Sequence, residues 1–468
     1  MNDTNQQPLD EHTCRAARLS RDPRFDGEFY LGVVTTGIYC RPICPARAPA
    51  EQNVRYFRDA SQAAQAGFRP CLRCRPESAP GSPAWSGTST TVQRALALIR
   101  EGSLNGDNLA ALAARLGVGE RYLRKLFQRE LGVSPQAVAL NQRLLFAKKL
   151  LAETELPLTD VAFAAGFGSV RRFNSAVREQ FRLTPGELRR QQRKSAAAPG
   201  ITLQLAYRPP YDWPLVAGFF ARHAIAGLET VSEAAYTRRI AVAGRAGHLS
   251  VSPIAGRDAL RLVLDLPDHG QLMPIVQRVR RMFDLDANPQ AIGEVLSRDS
   301  RLRPLLAQHP GVRSPGPWSL FECAARAVVG QQVSTAAART VLARLVTAAR
   351  DAHAPPDFPS PAALGSLGDE HFAMPGGRRD TLRRVCALFR ENQDPDLEAI
   401  AALRGVGPWT VQLIAMRGLG DPDVFPAKDL GILKAWDALG GGDAQSAAAH
   451  WRPWRSYATN LLWRSLSQ

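Results

Sequence analysis

Apolar and polar positions alternate along this chain with more than one rhythm. From Leu109 to Leu116, and again from Gly119 to Arg129, apolar residues step by three and four across Gly117-Val118, which predicts two short helices joined by a tight turn. A second copy follows: Leu158 to Ala165, the turn Gly166-Phe167-Gly168, then Ser169 to Gln180 with Ser169 as its N-cap. Between the copies, Ser134 and Pro135 mark a helix start. The positions Ala137, Leu140, Leu144, Ala147 and Leu151 predict one core-facing stripe on that helix. Beyond residue 200, the stretches Ile201 to Ala206 and Leu260 to Leu264 predict strands, beside a helix from Trp213 to Ala224. After about residue 290 the pattern is almost wholly helical.

These rhythms change at Pro/Gly/Ser/Ala-rich stretches, which favour exposed linkers. Residues 78–83 and 194–200 are two; His353-Ala354-Pro355-Pro356 reads as a loop within a domain. The 468 residues exceed what one core holds. They divide into 1–80, a small α+β module; 84–193, an all-α module; 200–288, an α+β domain; and 289–468, an all-α domain. No apolar run approaches membrane-spanning length and Met1 to Arg15 is polar, so a cytoplasmic location is expected. Net charge is +16, and residues 81–195 hold 18 Lys and Arg against 9 Asp and Glu. A basic segment of this kind suits a polyanion such as nucleic acid, although charge alone also serves solubility.

Four of the seven cysteines lie close together as Cys40-x3-Cys44 and Cys71-x2-Cys74. Two close pairs of soft thiolates suit one tetrahedral Zn²⁺, whose plainest role is to staple a small fold. Cys14 falls in a polar tail, while Cys323 and Cys386 sit in apolar helical stretches as packing residues. The strings Thr35 to Cys44 and Ala66 to Cys74 closely resemble the N-terminal domain of the Ada adaptive-response proteins. That resemblance implies that Cys40 is both a zinc ligand and an irreversible acceptor of a methyl group from DNA methylphosphotriesters. A four-thiolate zinc centre carries a formal charge of about −2, and methylating one thiolate brings it to about −1, easing its repulsion of DNA. Arg47, Arg69 and Arg73 flank the ligands as candidate phosphate partners, or as plain surface charge. Full-length Ada proteins also carry a Pro-Cys-His-Arg alkylguanine transferase motif, which this sequence lacks.

The duplicated helix-turn-helix, ending in Phe181 to Arg189, resembles the AraC family of transcription regulators. The resemblance implies sequence-specific binding to double-stranded promoter DNA and contact with RNA polymerase. Arg121, Arg124 and Lys125 in the first unit, with Arg171, Arg172 and Asn174 in the second, are the groove and phosphate candidates.

In the C-terminal half, Leu403-Arg404-Gly405-Val406-Gly407-Pro408-Trp409 reads as a helix, a Gly-x-Gly hairpin, and a helix opened by Pro408 and closed by Gly418. Gly405 and Gly407 would let backbone amides approach a phosphate. Asp429 follows after a Gly/Pro-containing loop. This order, with residues 209–213, 329–334 and 454–458, resembles the AlkA-type 3-methyladenine DNA glycosylases of the helix-hairpin-helix superfamily. The resemblance implies that Asp429 is catalytic and that Trp409, Trp463, Leu413 and Leu430 line the base pocket. It also places Gln332 at the position of the residue that wedges into DNA. Lyase members carry lysine where this chain has Trp409, so a monofunctional enzyme is expected; Lys428 is a phosphate contact or surface charge. The expected whole is a sensor, activator and excision enzyme; the alternative is a regulator with a structural zinc and a silent glycosylase fold.

Overall fold

The computed structural model describes residues 10–466, apart from 75, 77–78, 80–89, 107, 193–200 and 351–356. The two predicted linkers and the loop at 353–356 therefore lie almost entirely outside the described residues.

The first module holds α1 (Glu11–Ser20), β1 (Tyr30–Val33), β2 (Ile38–Cys40), β3 (Val54–Phe57), α2 (Ala60–Gln65) and β4 (Arg69–Pro70). Its sheet runs β3-β1-β2-β4, with only β2 and β4 parallel. Cys14, read from sequence as part of a polar tail, is 3% exposed. Asp10 caps α1 by accepting from the Thr13 amide, and the helix lays its one apolar face, Cys14 and Ala17, onto the core that contains the cysteine cluster.

The basic segment is all helix: α3 (Thr90–Arg100), α4 (Leu109–Arg115), α5 (Glu120–Leu131), α6 (Pro135–Glu153), α7 (Leu158–Ala164), α8 (Val170–Phe181) and α9 (Pro185–Gln192). Both predicted helix-turn-helix units form, as α4–α5 and α7–α8. Ser134 and Ser169 cap as expected, accepting from Ala137 N at 3.2 Å and Arg172 N at 3.3 Å.

The single-stripe reading of α6 does not hold. Leu140 is exposed, whereas Asn141, Arg143, Lys148 and Lys149 are buried. The helix is wrapped on several sides, so apolar periodicity understates its contacts. On one side Lys148 Nζ donates to Cys71 O at 2.9 Å, and Asn141 Nδ2 to Ser61 Oγ at 3.2 Å. On another, Lys149 pairs with Glu153 at 2.9 Å and donates to Gln204 O.

The cysteine module also reaches the ends of both second helices of the helix-turn-helix units. Gln62 Nε2 donates to Leu131 O at 2.8 Å, and Gln180 Nε2 donates to Phe68 O at 3.2 Å. The first unit has a core of its own, whereas the second shares a continuous apolar core with the sheet that follows.

That sheet runs β5-β9-β8-β7-β6, antiparallel throughout: β5 (Ile201–Ala206), β6 (Glu229–Val231), β7 (Tyr236–Val242), β8 (Arg245–Pro253) and β9 (Ala259–Asp265). The strands alternate buried and exposed residues, as a one-sided sheet requires. The buried face is covered by α10 (Trp213–His223) and α11 (Leu272–Met282).

The remainder is helical: α12 (Pro289–Leu296), α13 (Leu302–Gln308), α14 (Leu320–Val329), α15 (Thr335–Ala348), α16 (Pro361–Gly365), α17 (Gly376–Glu391), α18 (Leu397–Ala401), α19 (Pro408–Gly418), α20 (Leu430–Ala438), α21 (Ala444–Ala448) and α22 (Arg455–Ser465). Gly418 is the last residue of α19 rather than its cap. Its missing Cβ matters for packing instead, because a Cβ there would meet Leu320 Cδ1 at 2.8 Å.

Sheet and helices meet at an ionic cluster centred on the fully buried Arg238 and Glu322. Arg238 donates to Glu322 at 2.6 Å and to Glu229 at 3.2 Å, and Arg326 donates to Glu229 at 2.7 Å. Burial alone would raise the Glu229 carboxyl, but Arg326 and Arg238 outweigh it and hold it below its usual 4.5. A folded value below the unfolded one gives stability that is complete above about pH 4.5 and is lost as acid passes through the folded value.

Two outcomes are expected. In urea titrations between pH 7 and pH 3, the unfolding midpoint falls below about pH 4.5, and Glu229→Gln flattens that fall; a wild-type midpoint independent of pH would contradict the assignment. Lys148→Ala, which leaves Cys71 O without its donor and opens a void, weakens the fold by about 2–3 kcal/mol. Its zinc should reach a chromophoric chelator at lower urea than in the wild type.

Candidate functional site

Two centres of chemistry stand apart in the chain. The first begins with β2, which carries Cys40 at its end, and β4, which runs into Cys71. Parallel pairing of these strands brings the two cysteine pairs together. The four sulfur atoms of Cys40, Cys44, Cys71 and Cys74 lie within 4.8 Å of one another. A tetrahedral zinc with bonds near 2.3 Å requires sulfur separations of about 3.8 Å, so this donor set fits Zn²⁺.

Backbone amides surround the sulfurs unevenly. Arg41 N donates to Cys74 Sγ and Arg73 N to Cys71 Sγ, each at 3.3 Å, and the Ala46 amide bonds Cys44. Among the described residues no amide donates to Cys40 Sγ. Arg41, which sequence reasoning passed over, is buried. It donates to Cys74 O at 3.0 Å and forms a two-point pair with Asp26, its Nε reaching Oδ1 at 2.7 Å. Arg47 and Arg73 are exposed and Arg69 is half-buried on β4.

The helix-turn-helix candidates are mostly at the surface. Arg121, Arg124 and Lys125 are exposed on α5, and Arg171 and Arg172 on α8; Asn174 is half-buried. Arg124 also faces Glu120 at 3.5 Å, one turn earlier.

The second centre is a cavity of about 540 Å³ between α10, α14, α15, α19 and α22. Asp429 opens α20 as its N-cap, and Oδ1 accepts from Ile432 N at 3.0 Å. The same carboxylate takes both indole N–H groups: Trp409 Nε1 to Oδ2 at 2.7 Å and Trp463 Nε1 to Oδ1 at 2.9 Å. Three donors from two helices and the start of α20 hold the carboxylate in one rigidly aimed position.

Leu413 lines the same cavity, but Leu430 does not; it is 82% exposed on the first turn of α20. Lys428 is exposed. Arg417 lines the same cavity, and among the described residues it makes no ion pair with a carboxylate. It donates to Pro315 O and Asn460 Oδ1, each at 2.7 Å, and packs 4.5 Å from the Phe219 ring and 5.4 Å from Trp463. Burial pushes its guanidinium down to about 10. Neither Arg417 nor Phe219 was singled out from sequence, because an arginine inside a helix carries no signal of its burial.

The hairpin before α19 is shaped by Gly405, whose φ is +93°. A Cβ there would overlap Thr381 Oγ1, whereas one on Gly407 meets nothing within 4 Å. Gln331 Nε2 ties this hairpin to the α14–α15 loop, donating to Gly405 O and Thr410 Oγ1 at 3.0 Å each. Beside it Gln332 is exposed, with φ at +55°.

The hairpin and the carboxylate it precedes place the C-terminal half among the helix-hairpin-helix glycosylase folds, joined to a helix-turn-helix DNA-binding segment and a zinc-binding module. Family models agree. The metal binding domain of Ada matches residues 13–77, a helix-turn-helix domain matches 112–191, and the AlkA N-terminal domain matches 202–319. A probable bifunctional transcriptional activator/DNA repair enzyme AlkA of Mycobacterium tuberculosis is 42% identical over 98% of this chain and 97% of its own length. DNA-3-methyladenine glycosylase 2 of Escherichia coli is 31% identical over 55% of this chain and 95% of its own. The Ada activator/repair enzyme of Escherichia coli is 34% identical over 36% of this chain, which spans about half of that relative, 47%. The chain belongs to the family of bifunctional transcriptional activator/DNA repair enzymes that join an Ada-type zinc domain to an AlkA-type glycosylase.

The two hairpin glycines should part in their response to a methyl group. Gly405→Ala is expected to cost about 2–3 kcal/mol of stability, from a positive φ and an overlap that Thr381 must relieve. Gly407→Ala should change it by less than about 1 kcal/mol. Denaturant unfolding of the two variants checks this, and equal losses would count against the hairpin geometry.

Proposed function

We propose that this protein repairs DNA at two sites, accepting methyl groups from backbone phosphotriesters on Cys40 and hydrolysing the N-glycosidic bond of alkylated bases with Asp429. The observation that carries the second activity is the carboxylate held by two indole N–H groups at a cavity wall. In this reading the flipped base enters between Trp409, Trp463 and Leu413. An N-alkylated purine already carries positive charge, and aromatic faces favour it there.

As the C1′–N bond breaks, its electron pair leaves with the base, and cationic 3-methyladenine departs neutral. The Asp429 carboxylate stabilises the oxocarbenium-like sugar. Water then bonds to C1′ and gives its proton to the carboxylate. Trp409 offers no amine, so no Schiff base forms and the enzyme acts as a glycosylase without lyase activity. Leu430 and Gln332 stand on the outer surface, and we assign them to the DNA flanking the lesion rather than to the base. The amides of the Gly405-Gly407 hairpin and the N-terminus of α19 suit a phosphate.

For the first activity, bound zinc keeps the cysteine sulfurs deprotonated at neutral pH. Amide donors engage Cys44, Cys71 and Cys74, drawing electron density from those sulfurs; Cys40, without one among the described residues, keeps the most nucleophilic lone pair. Its sulfur attacks the methyl carbon, the C–O bond breaks, and the phosphodiester leaves with the electron pair. The thioether so formed cannot be turned over, so the transfer is stoichiometric. Arg47, Arg69 and Arg73 are the phosphate partners in this reading, and loss of one thiolate charge eases binding to DNA. The exposed cations of α5 and α8 then hold promoter DNA, and RNA polymerase is the proposed downstream partner.

DNA bearing radiolabelled methyl groups separates the two activities. Label should appear both as free base and on the protein. Asp429→Asn should abolish the free base by a factor of 10² or more, and Cys40→Ser should abolish protein labelling while zinc content is followed in parallel. Label on protein alone would leave the glycosylase fold catalytically silent, and label in free base alone would make the zinc centre structural.

A further inference from the structure

Beyond the carboxylate and its two tryptophans, the cavity contains a polar atom with no role in the reaction described above. His223 closes α10 and lines the cavity with Phe219, Arg417 and Asp429. Its ring packs on Phe219 with centroids 4.4 Å apart, and its Nδ1 lies 2.8 Å from Phe219 O. A carbonyl oxygen only accepts, so Nδ1 carries the hydrogen, and a neutral ring then leaves Nε2 as a bare acceptor. No described residue hydrogen-bonds Nε2. The other walls make this acceptor unusual. Arg222 on its own helix, Arg326 on α14 and Arg417 on α19 act on the imidazole, and the cavity is also lined by Asp429 and by Glu229, which pairs with Arg326 at 2.7 Å. Burial first, and then these three cations, push the imidazole down to about 4, so it stays neutral through the physiological range. The cavity thus places a neutral imidazole acceptor against an aromatic ring and beside three arginines.

We propose that His223 is a specificity-determining residue, whose Nε2 accepts an N–H from the flipped base and so favours lesions that present one. The inference rests on the reading of the C-terminal half as a base-excising enzyme. Adenine alkylated at N3 fits, because its exocyclic amine is an N–H donor strengthened by the positive charge of the ring. A lesion such as 1,N6-ethenoadenine, with N6 closed into a ring, offers no N–H and gains nothing from His223. Discrimination of this kind is effective because a buried acceptor left unpaired opposes the wrong base.

The full-length protein tests this with two duplexes and two variants. His223→Phe keeps an aromatic ring and removes the acceptor; His223→Asn keeps an acceptor. Single-turnover release of 3-methyladenine should slow by roughly 10- to 100-fold in His223→Phe, the range for one charge-assisted hydrogen bond, and recover in large part in His223→Asn. The fluorescence of ethenoadenine, which reports flipping without cleavage, should give an equilibrium within about twofold of wild type for both variants. Equal losses on the two lesions would make His223 a packing residue and overturn the proposal, as would an unchanged rate for 3-methyladenine in His223→Phe. If the wild-type protein released no alkylated base, the glycosylase reading itself would fall, and this inference with it.

Discussion

Two adjacent lysines on one buried helix hold this molecule together. Neighbours in an α-helix point about 100° apart, so Lys148 and Lys149 cannot serve the same surface. Lys148 turns to the backbone of zinc ligand Cys71, and Lys149 to Glu153 and the first strand of the C-terminal half. An ammonium group is costly to bury, and each must keep its acceptor. The zinc module and the five-stranded sheet are therefore seated on α6 by requirement of charge, not by apolar contact alone. Gln62 and Gln180 extend the same seating to the ends of α5 and α8. A change at the cysteine centre thus has a short covalent and hydrogen-bonded route, from Cys71 through α6, to both helix-turn-helix units. Glu28 adds a second tie, 3.1 Å from Arg208 and accepting from Asn288 Nδ2 at 2.9 Å.

The cavity follows a different logic. Its carboxylate is immobilised by groups that are themselves walls, so the residues that shape the opening also fix the charge. Trp463 is the hinge of this arrangement: its N–H binds Asp429, while its ring faces the buried Arg417. Among the described residues the Arg417 guanidinium donates only to neutral oxygens, and the ring of Trp463 packs on it while its N–H holds the carboxylate. Gln331 then couples the hairpin to the exposed loop carrying Gln332. The groups that would grip the backbone and the groups that would face a base are, in consequence, parts of one hydrogen-bonded frame.

Much of this was legible in the chain because the relevant signals are local. Two Cys pairs at close spacing, Ser before Val170 and before Pro135, and Gly-x-Gly before Pro408 each act within a turn or two. The positions that escaped were those whose meaning comes from distant segments. Cys14 lies in a polar-looking stretch, yet α1 turns it inward. Lys148 and Lys149 look like surface charge until the modules on either side of α6 are in place. Leu430 sits next to Asp429 in sequence, but the N-cap geometry of Asp429 directs its own side chain into the cavity and leaves Leu430 outside. Arg41, His223 and Arg417 have no local pattern at all; only the three-dimensional neighbourhood shows that each is enclosed.

The proposed activities also differ in a way that the two centres reflect. A thiolate converted to a thioether is spent, whereas a carboxylate that has taken a proton from water returns it to solvent and is ready again. The first chemistry gains from a nucleophile left free of amide donors, since every donor to Cys40 Sγ would lower its reactivity and its charge need not be preserved afterwards. The second gains from the opposite, a carboxylate saturated with donors, because Asp429 must remain fixed through every cycle. Among the described residues the chain therefore holds a sulfur with no amide donor and a carboxylate with three donors, and that contrast fits a centre used once beside a centre used repeatedly.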